Sequence, residues 1–396
     1  MKRFLFILGL WAPLLASAQL PMLLDQGRPS VIGVPPNQAY NGYIGDLAYF
    51  YGDSVTRGYN PNPPQTNFLT GRFAQVLCTN LSMIEVNASV GGSEIADAQA
   101  DNITTNNSIS NSSVSVWLAG YNDVFWFGTN AAALTDNLAA VESLAAWLAI
   151  PTAFRVAATN IGTYSPTNSI IYYPPGWYTG SPLPALGGLE YSTQPNAASF
   201  FFSGSTLLIG TARLNSGAGN VVVTVGDYVN ETVLPPYATN VYSCVRTSPD
   251  TGPGPPPNSF GNRTYSPGLI IITNLTANRH YAFFTPQTSA YTFLGWYASY
   301  STNQLPKVVL AGSLKLAGSN WTDPNLPAGY MNGSDLAANE YSLMLSNAAA
   351  VLSAAQLNVK WVPVPVLDSN VDYFFDGIHP DVSGHQKLET AIQAGF

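Results

Sequence analysis

The 396-residue sequence predicts an α/β protein with an all-β segment set into it. Three observations predict this class. Strand and helix signals alternate from about residue 44 to 162, helical periodicity then disappears until about 305, and the alternation resumes at Lys307. Strands alternating with helices imply βαβ units and a parallel sheet. A run of short strands punctuated by turn residues implies a sandwich or barrel.

The start of the chain has a separate role. Lys2 and Arg3 precede an apolar run over 4–15 and the small residues Ala16-Ser17-Ala18, the pattern of a signal peptide with its cleavage site. The run is shorter than the roughly 20 residues that span a bilayer, and no later run is long enough. The expected mature chain begins near Gln19, is exported (extracellular, or periplasmic in a bacterium), and has no integral membrane segment. A retained N-terminal anchor is the alternative. Residues 19–43 read as an N-terminal extension.

The first α/β part, 44–162, opens with a buried-strand signal at 47–51 and a helical pattern at 67–80. Short strands follow at 83–86 and 114–119. Residues 135–148 place apolar side chains at helical spacing, with Thr135 or Asp136 as the N-cap. The all-β part, 163–305, shows strand-like runs at 199–202, 206–212, 221–225, 269–273, 281–285 and 291–300. Its heaviest turn signal is the Gly/Pro run over 250–257. It reads as an independently packed, jelly-roll-like sandwich. The second α/β part, 306–396, has a strand at 308–311, a long helix at 335–356, a strand at 359–366 and a closing helix at 381–395.

Composition limits function. Only 9% of residues are charged, against about 25% in a typical domain, and Asn, Ser, Thr and Tyr stand in their place. The net charge of −8 argues against a nucleic-acid partner, which needs a basic footprint. Two cysteines, Cys78 and Cys244, are too few for a disulfide scaffold. Two separate buried thiols or one bridge are both open. Asn-x-Ser/Thr sequons stand at Asn102, Asn230, Asn262, Asn274 and Asn320.

Four fragments carry chemistry. They are Gly52-Asp53-Ser54 after the first apolar strand, Gly91-Gly92, Gly120-Tyr121-Asn122-Asp123, and Asp376-Gly377-Ile378-His379 near the C-terminus. A serine hydroxyl needs a neighbouring base to act as a nucleophile. Of the three histidines, His280 falls in the β part as a surface or strand residue, and His385 on the last helix reads as solvated. His379 alone follows a carboxylate by three residues in a turn. Asp376 can hold one ring nitrogen while the other faces Ser54, the orienting role of the acid in a serine triad. A tetrahedral intermediate needs donors for its oxyanion. Candidates are the backbone N–H groups of Ser54 and Gly92 and the side-chain amide of Asn122. Taken alone, Ser54 is more simply a helix cap. Asp53 and Asp123 flank the site and read as site-supporting, holding the two turns. No ligand-spaced cluster suggests a metal, and the chemistry needs no cofactor. The Gly-x-Ser-x-Gly elbow of the α/β-hydrolase fold is absent around Ser54.

In this order the four fragments resemble the blocks of the SGNH (GDSL-type) hydrolases, which carry Ser, Gly, Asn and His. The spacing from Asn87 to Gly92 matches the second block and favours Gly92 over Gly91 as oxyanion donor. The resemblance covers 44–162 and 306–394. It implies a flavodoxin-like, three-layer parallel sheet and cofactor-free ester hydrolysis through an acyl-enzyme. The expected function is that of a secreted serine esterase acting on small O-acyl groups, acetyl foremost, with an acylated carbohydrate as candidate substrate. Trp296, Tyr297 and Tyr300 in the β part are candidates for stacking on sugar rings, although aromatics in strands more often fill a core. A lipid-ester hydrolase or acyltransferase with the same triad is one alternative. A non-catalytic extracellular glycan-binding protein is the other.

Overall fold

The structure is a computed structural model. The structure describes residues 43–61, 69–160, 170–179, 190–214, 217–246, 265–287, 291–301, 305–315, 321, 333–368 and 370–396. The expected signal peptide, most of the N-terminal extension, the Gly/Pro run at 250–257 and the sequons at Asn262 and Asn320 lie outside the described residues.

The first part of the chain forms β1 (Leu47–Tyr51), α1 (Ser54–Arg57), α2 (Phe73–Leu81), β2 (Ile84–Asn87), a π-helical turn (Ile95–Gln99) running into α3 (Ala100–Thr105), β3 (Val114–Leu118), α4 (Tyr121–Phe127) and α5 (Ala131–Leu148). Thirteen short strands follow among the described residues: β4 (Arg155–Ala157), β5 (Ile171–Tyr172), β6 (Trp177–Thr179), β7 (Glu190–Ser192), β8 (Ala198–Ser203), β9 (Thr206–Leu214), β10 (Asn220–Val229), β11 (Thr232–Val233), β12 (Ala238–Ser243), β13 (Tyr265–Ile272), β14 (Arg279–Pro286), β15 (Thr292–Leu294) and β16 (Trp296–Tyr300). The chain ends with β17 (Lys307–Ala311), α6 (Asp335–Ala354), β18 (Val359–Val362) and α7 (Val382–Gln393).

The protein is thus mixed α/β, with one parallel sheet and several antiparallel ones. The parallel sheet runs β18-β17-β3-β1-β2, and every pairing in it is parallel. Its central strands are apolar without alternation because both faces are covered; all five residues of β3 are buried. The strand order reverses between β1 and β3. In such sheets a crevice opens outside the carboxyl ends of the strands at the reversal, and Ser54 and Asn122 both follow those two ends.

The expected cap of the helix before the β part is corrected. The helix starts at Ala131, because Asn130 Oδ1 accepts the Ala132 and Ala133 N–H groups (3.0 and 3.1 Å). Thr135 instead donates to the Ala131 carbonyl. Asp136 is buried and accepts from Arg213 Nη1 (3.2 Å), Arg246 Nε (2.7 Å) and Ser266 Oγ (2.7 Å). All three partners belong to the antiparallel part, so one buried carboxylate ties it to α5.

The antiparallel strands form a sheet through β11-β10-β14-β8-β5 with β12 beside β10, a sheet β13-β9-β16-β4, and a small sheet β15-β7-β6. Side chains of the first two meet in one core, where Phe200, Val223 and Phe284 face Leu207, Ile209, Ile270 and Tyr297. The β13-β9-β16-β4 sheet is covered on its other face too. With a period of two, Leu208, Trp296, Ala298 and Tyr300 turn into the core of the parallel sheet, beside Leu144, Trp147 and Leu148. Independent packing of the β part is therefore corrected: it shares a core with the α/β part. The expected strand over 291–300 is also two strands, broken at Gly295.

Trp296, Tyr297 and Tyr300 are 1%, 2% and 5% exposed, which removes them as sugar-stacking residues. Trp296 meets Trp147 edge-on, Tyr297 stacks on Phe200, and Tyr300 OH donates to the Ala355 carbonyl. Cys78 and Cys244 are both free and buried in different cores. No helix among the described residues is long and apolar enough to cross a membrane.

Candidate active site

Ser54 opens α1 directly beyond β1. Gly52 makes the turn at φ +142°, and a Cβ there would stand 2.3 Å from Thr56 Oγ1 and 2.5 Å from the Leu118 carbonyl oxygen. Only glycine fits where the two strand ends pass so closely. Asp53 caps α1 by accepting the Val55 N–H at 2.9 Å. That leaves the Ser54 hydroxyl outside the cap, so the cap role expected of a lone serine falls to Asp53.

His379 arrives from a turn 325 residues away in sequence. Its Nε2 lies 3.0 Å from Ser54 Oγ, and its Nδ1 lies 2.7 Å from Asp376 Oδ2. The other carboxylate oxygen of Asp376 accepts the Ile378 and His379 amides, both at 3.0 Å. Burial acts to raise the Asp376 carboxyl, but the His379 ring and those amides outweigh it and hold the group below its usual 3.8. Asp376 is therefore an anion built into its own turn. With Nδ1–H donated to it, the His379 tautomer that leaves Nε2 free to accept from Ser54 is favoured.

Asn122 stands at the second position of α4 and is buried. Its Nδ2 donates to the Ser93 carbonyl at 3.0 Å and to Asp53 Oδ2 at 3.3 Å. Ser93 Oγ in turn donates to the Gly52 carbonyl. The Gly91-Gly92 turn lies against the serine, since a Cβ on Gly91 would stand 3.8 Å from Ser54 Cβ. Gly92 has φ +74° and open space beside its Cα. Neither the Ser54 nor the Gly92 amide donates to another described group. Asn87 ties the end of β2 to this region by donating to the Thr56 carbonyl at 3.0 Å.

The two flanking aspartates are both fully buried. Burial pushes the Asp53 carboxyl up to about 6, against the opposing pull of the Val55 amide and the His379 ring. Asp123 accepts the Ile95 amide at 3.1 Å and Asn137 Nδ2 at 3.1 Å, which fixes α4 against the π-helical turn and α5. Among the described residues no group of three or more His, Cys, Asp or Glu side chains is placed to hold a metal ion.

The structure brings together Ser54, His379, Asp376, Asn122 and Asp53 by direct hydrogen bonds, with the Gly91-Gly92 turn beside them. Asp123, on α4, instead bonds the Ile95 amide and Asn137. His280 and His385 stay apart. His280 is buried on β14, where Nδ1 meets Asp227 Oδ1 and Tyr237 OH at 3.0 Å. His385, expected to be solvated, is 1% exposed. Its ring lies over Phe73, its Nδ1 accepts the Phe73 amide at 3.4 Å, and burial pushes its pKa down to about 3.

Three supporting residues carried no sequence signal. Tyr59 packs its ring 4.6 Å from that of His379. Tyr121 OH donates to the Ile378 carbonyl at 2.6 Å, which links the asparagine helix to the histidine turn. Ser93 supplies the carbonyl that holds Asn122. The hydrogen bonds of Tyr121 and Ser93 follow from tertiary approach of separate loops, which local pattern does not report.

No protein-family model matches the chain, and no curated protein matches it. Among solved structures, the hemagglutinin-esterase of porcine torovirus is similar at 9% identity and TM-score 0.37, over 89% of this chain and 88% of that one. A two-domain esterase active on acetylated mannans is similar at 6% identity and TM-score 0.28, over 66% and 93%. A family two carbohydrate esterase from Cellvibrio japonicus is similar at 11% identity and TM-score 0.21, over 53% and 51%.

Proposed function

We propose that this protein is an exported serine esterase of the SGNH type, hydrolysing small O-acyl esters, acetyl foremost, with acylated carbohydrate as its substrate class. One observation carries the reading: a continuous hydrogen-bonded chain runs from Ser54 Oγ through the His379 ring to Asp376, at 3.0 and 2.7 Å. It stands where the parallel strand order reverses. The order β18-β17-β3-β1-β2 also supports a flavodoxin-like sheet, which has the order 2-1-3-4-5. On this reading 44–162 and 306–396 make the hydrolase, except that β4 near the end of the first part already pairs with β16, and 163–305 is an inserted sandwich that leans on it.

The mechanism follows from the atoms. Ser54 Oγ attacks the acyl carbonyl carbon while His379 Nε2 takes the hydroxyl proton. Asp376 stabilises the imidazolium without taking its proton. The carbonyl oxygen becomes an oxyanion facing the Ser54 and Gly92 amides and the Asn122 side chain. The intermediate collapses, the C–O bond to the alcohol breaks, and His379 returns the proton to the departing oxygen. Water then attacks the acyl-enzyme with His379 again as base, releasing the acid and restoring Ser54. Every proton moves through His379, and no cofactor enters.

A panel of p-nitrophenyl esters from acetate to palmitate tests the reading. Turnover should be highest for acetate and fall with chain length, and acetylated oligosaccharides should release acetate. A preference for long chains would move the reading to a lipid-ester hydrolase. No turnover of any ester would leave a non-catalytic fold.

A further inference from the structure

The small sheet β15-β7-β6 carries a row of aromatic rings that the esterase reading does not use. Tyr178 on β6 stands directly opposite Tyr191 on β7, and Tyr191 directly opposite Phe293 on β15. Residues paired in this way share one face of a sheet. Tyr291, two residues before Phe293, falls on the same face. Neighbouring centroids are 5.7 Å (Tyr178–Tyr191), 5.8 Å (Tyr191–Tyr291) and 6.0 Å (Tyr291–Phe293) apart.

The row is not a core. Tyr178 is 55% and Tyr291 44% exposed, with Tyr191 half-buried between them and Phe293 forming the floor. None of the three tyrosine hydroxyls has a hydrogen-bond partner among the described residues. The opposite face, with Glu190, Ser192, Thr292 and Leu294, is the buried one. Backbone hydrogen bonds hold Tyr291 on both sides, from its N–H to the Gly217 carbonyl and from the Gly219 N–H to its own carbonyl. Ser192 Oγ bonds the Gly176 carbonyl and so pins β6 to β7. The strands that carry the rings are therefore held in place before any ligand arrives, which lowers the cost of binding.

We propose that Tyr178, Tyr191 and Tyr291 form a binding platform for a neutral polysaccharide, separate from the Ser54 site. The ring spacing is close to the length of one pyranose unit. The apolar C–H face of a sugar suits the electron-rich face of a tyrosine ring, and its hydroxyls suit the phenol groups. Charge selects among glycans: on the three strands the only ionisable group besides the tyrosines is Glu190, which is buried. Nothing there would attract an anionic or cationic polymer. The platform does not depend on the esterase reading.

Affinity electrophoresis of the full chain through gels containing galactomannan, xyloglucan, arabinoxylan or mixed-linkage β-glucan tests it, with polygalacturonate as the anionic control. The chain should be retarded by at least one neutral polymer. The pair Tyr178→Ala/Tyr291→Ala should weaken that binding by roughly tenfold or more, while melting temperature and p-nitrophenyl acetate turnover stay unchanged. Each single substitution should weaken it less. Ser54→Ala should bind as the parent does, so loss of turnover and loss of binding are read apart. Retardation by no neutral polymer, retardation by polygalacturonate alone, or full binding by the double variant would overturn the proposal. So would a dimer in sedimentation velocity that the double variant dissolves, which would make this face a contact between copies.

Discussion

Asn122→Ala separates two roles that the proposed mechanism gives to one side chain. In the resting site both Nδ2 hydrogens are engaged, with the Ser93 carbonyl at 3.0 Å and Asp53 Oδ2 at 3.3 Å. The longer contact is the one an oxyanion can replace, because Asp53 keeps the Val55 amide on its other oxygen. Removing one oxyanion donor costs about 10²–10³ in kcat, or about 2.7–4 kcal/mol. Removing the amide also strips a donor from two buried acceptors, at about 1–3 kcal/mol of stability for such a group. Steady-state turnover of p-nitrophenyl acetate and thermal melting should therefore both change. We expect kcat to fall by two to three orders of magnitude with KM nearly unchanged, and the melting temperature to fall by a few degrees. A rise in KM with kcat intact would show that Asn122 holds substrate. A fall in activity no larger than the unfolded fraction at the assay temperature would leave Asn122 as a packing residue only.

Other outcomes follow from the same geometry. His379→Ala should be nearly inactive, whereas Asp376→Ala should keep measurable turnover, because in the proposed mechanism one group moves the proton and the other orients it; equal loss of p-nitrophenyl acetate turnover in the two variants would contradict the division. The His385 pKa is about 3 when folded, below the ordinary value of 6.5, so the unfolded chain gains a proton first as pH falls below about 6.5. Stability then drops by about 1.4 kcal/mol per unit, or about 2 kcal/mol between pH 7 and 5 from this group. Urea unfolding of His385→Leu should show that much less pH dependence, and an unchanged dependence would refute the assignment. Excision of 163–305 with a Gly/Ser linker should give insoluble or unfolded protein, because it uncovers Trp147 and Leu148 and removes the Arg213 and Arg246 partners of Asp136. A soluble, cooperatively melting deletion chain would contradict the shared core.

The alternation over 44–162 was legible because buried parallel strands and amphipathic helices differ in period and length. β1, β3 and β17 each fall within a residue or so of the expected runs. The helix boundary at Asn130 was not legible, since the residues after it, Ala131-Ala132-Ala133, carry no polar face to set a phase. The double burial of the β13-β9-β16-β4 sheet was hidden for a related reason. A continuous apolar run such as Leu269-Ile270-Ile271-Ile272 states that both faces are covered, but not by what. The approach of Ser54, His379 and Asp376 was legible in their residue types, since a serine, a histidine and a carboxylate in this order suggest a hydrogen-bonded chain. Its supports were not. Tyr59 and Tyr121 read as ordinary aromatics, and the burial of His385 follows from how α7 packs against α2.

The central claim is that the Ser54 hydroxyl is the nucleophile activated by His379. A fluorophosphonate probe with peptide-level mass spectrometry tests it most directly. The account predicts a single labelled residue, Ser54, in the parent chain, with no label in Ser54→Ala and strongly slowed labelling in His379→Ala. Label on Ser93 or another serine, or labelling of Ser54 that ignores the loss of His379, would contradict it.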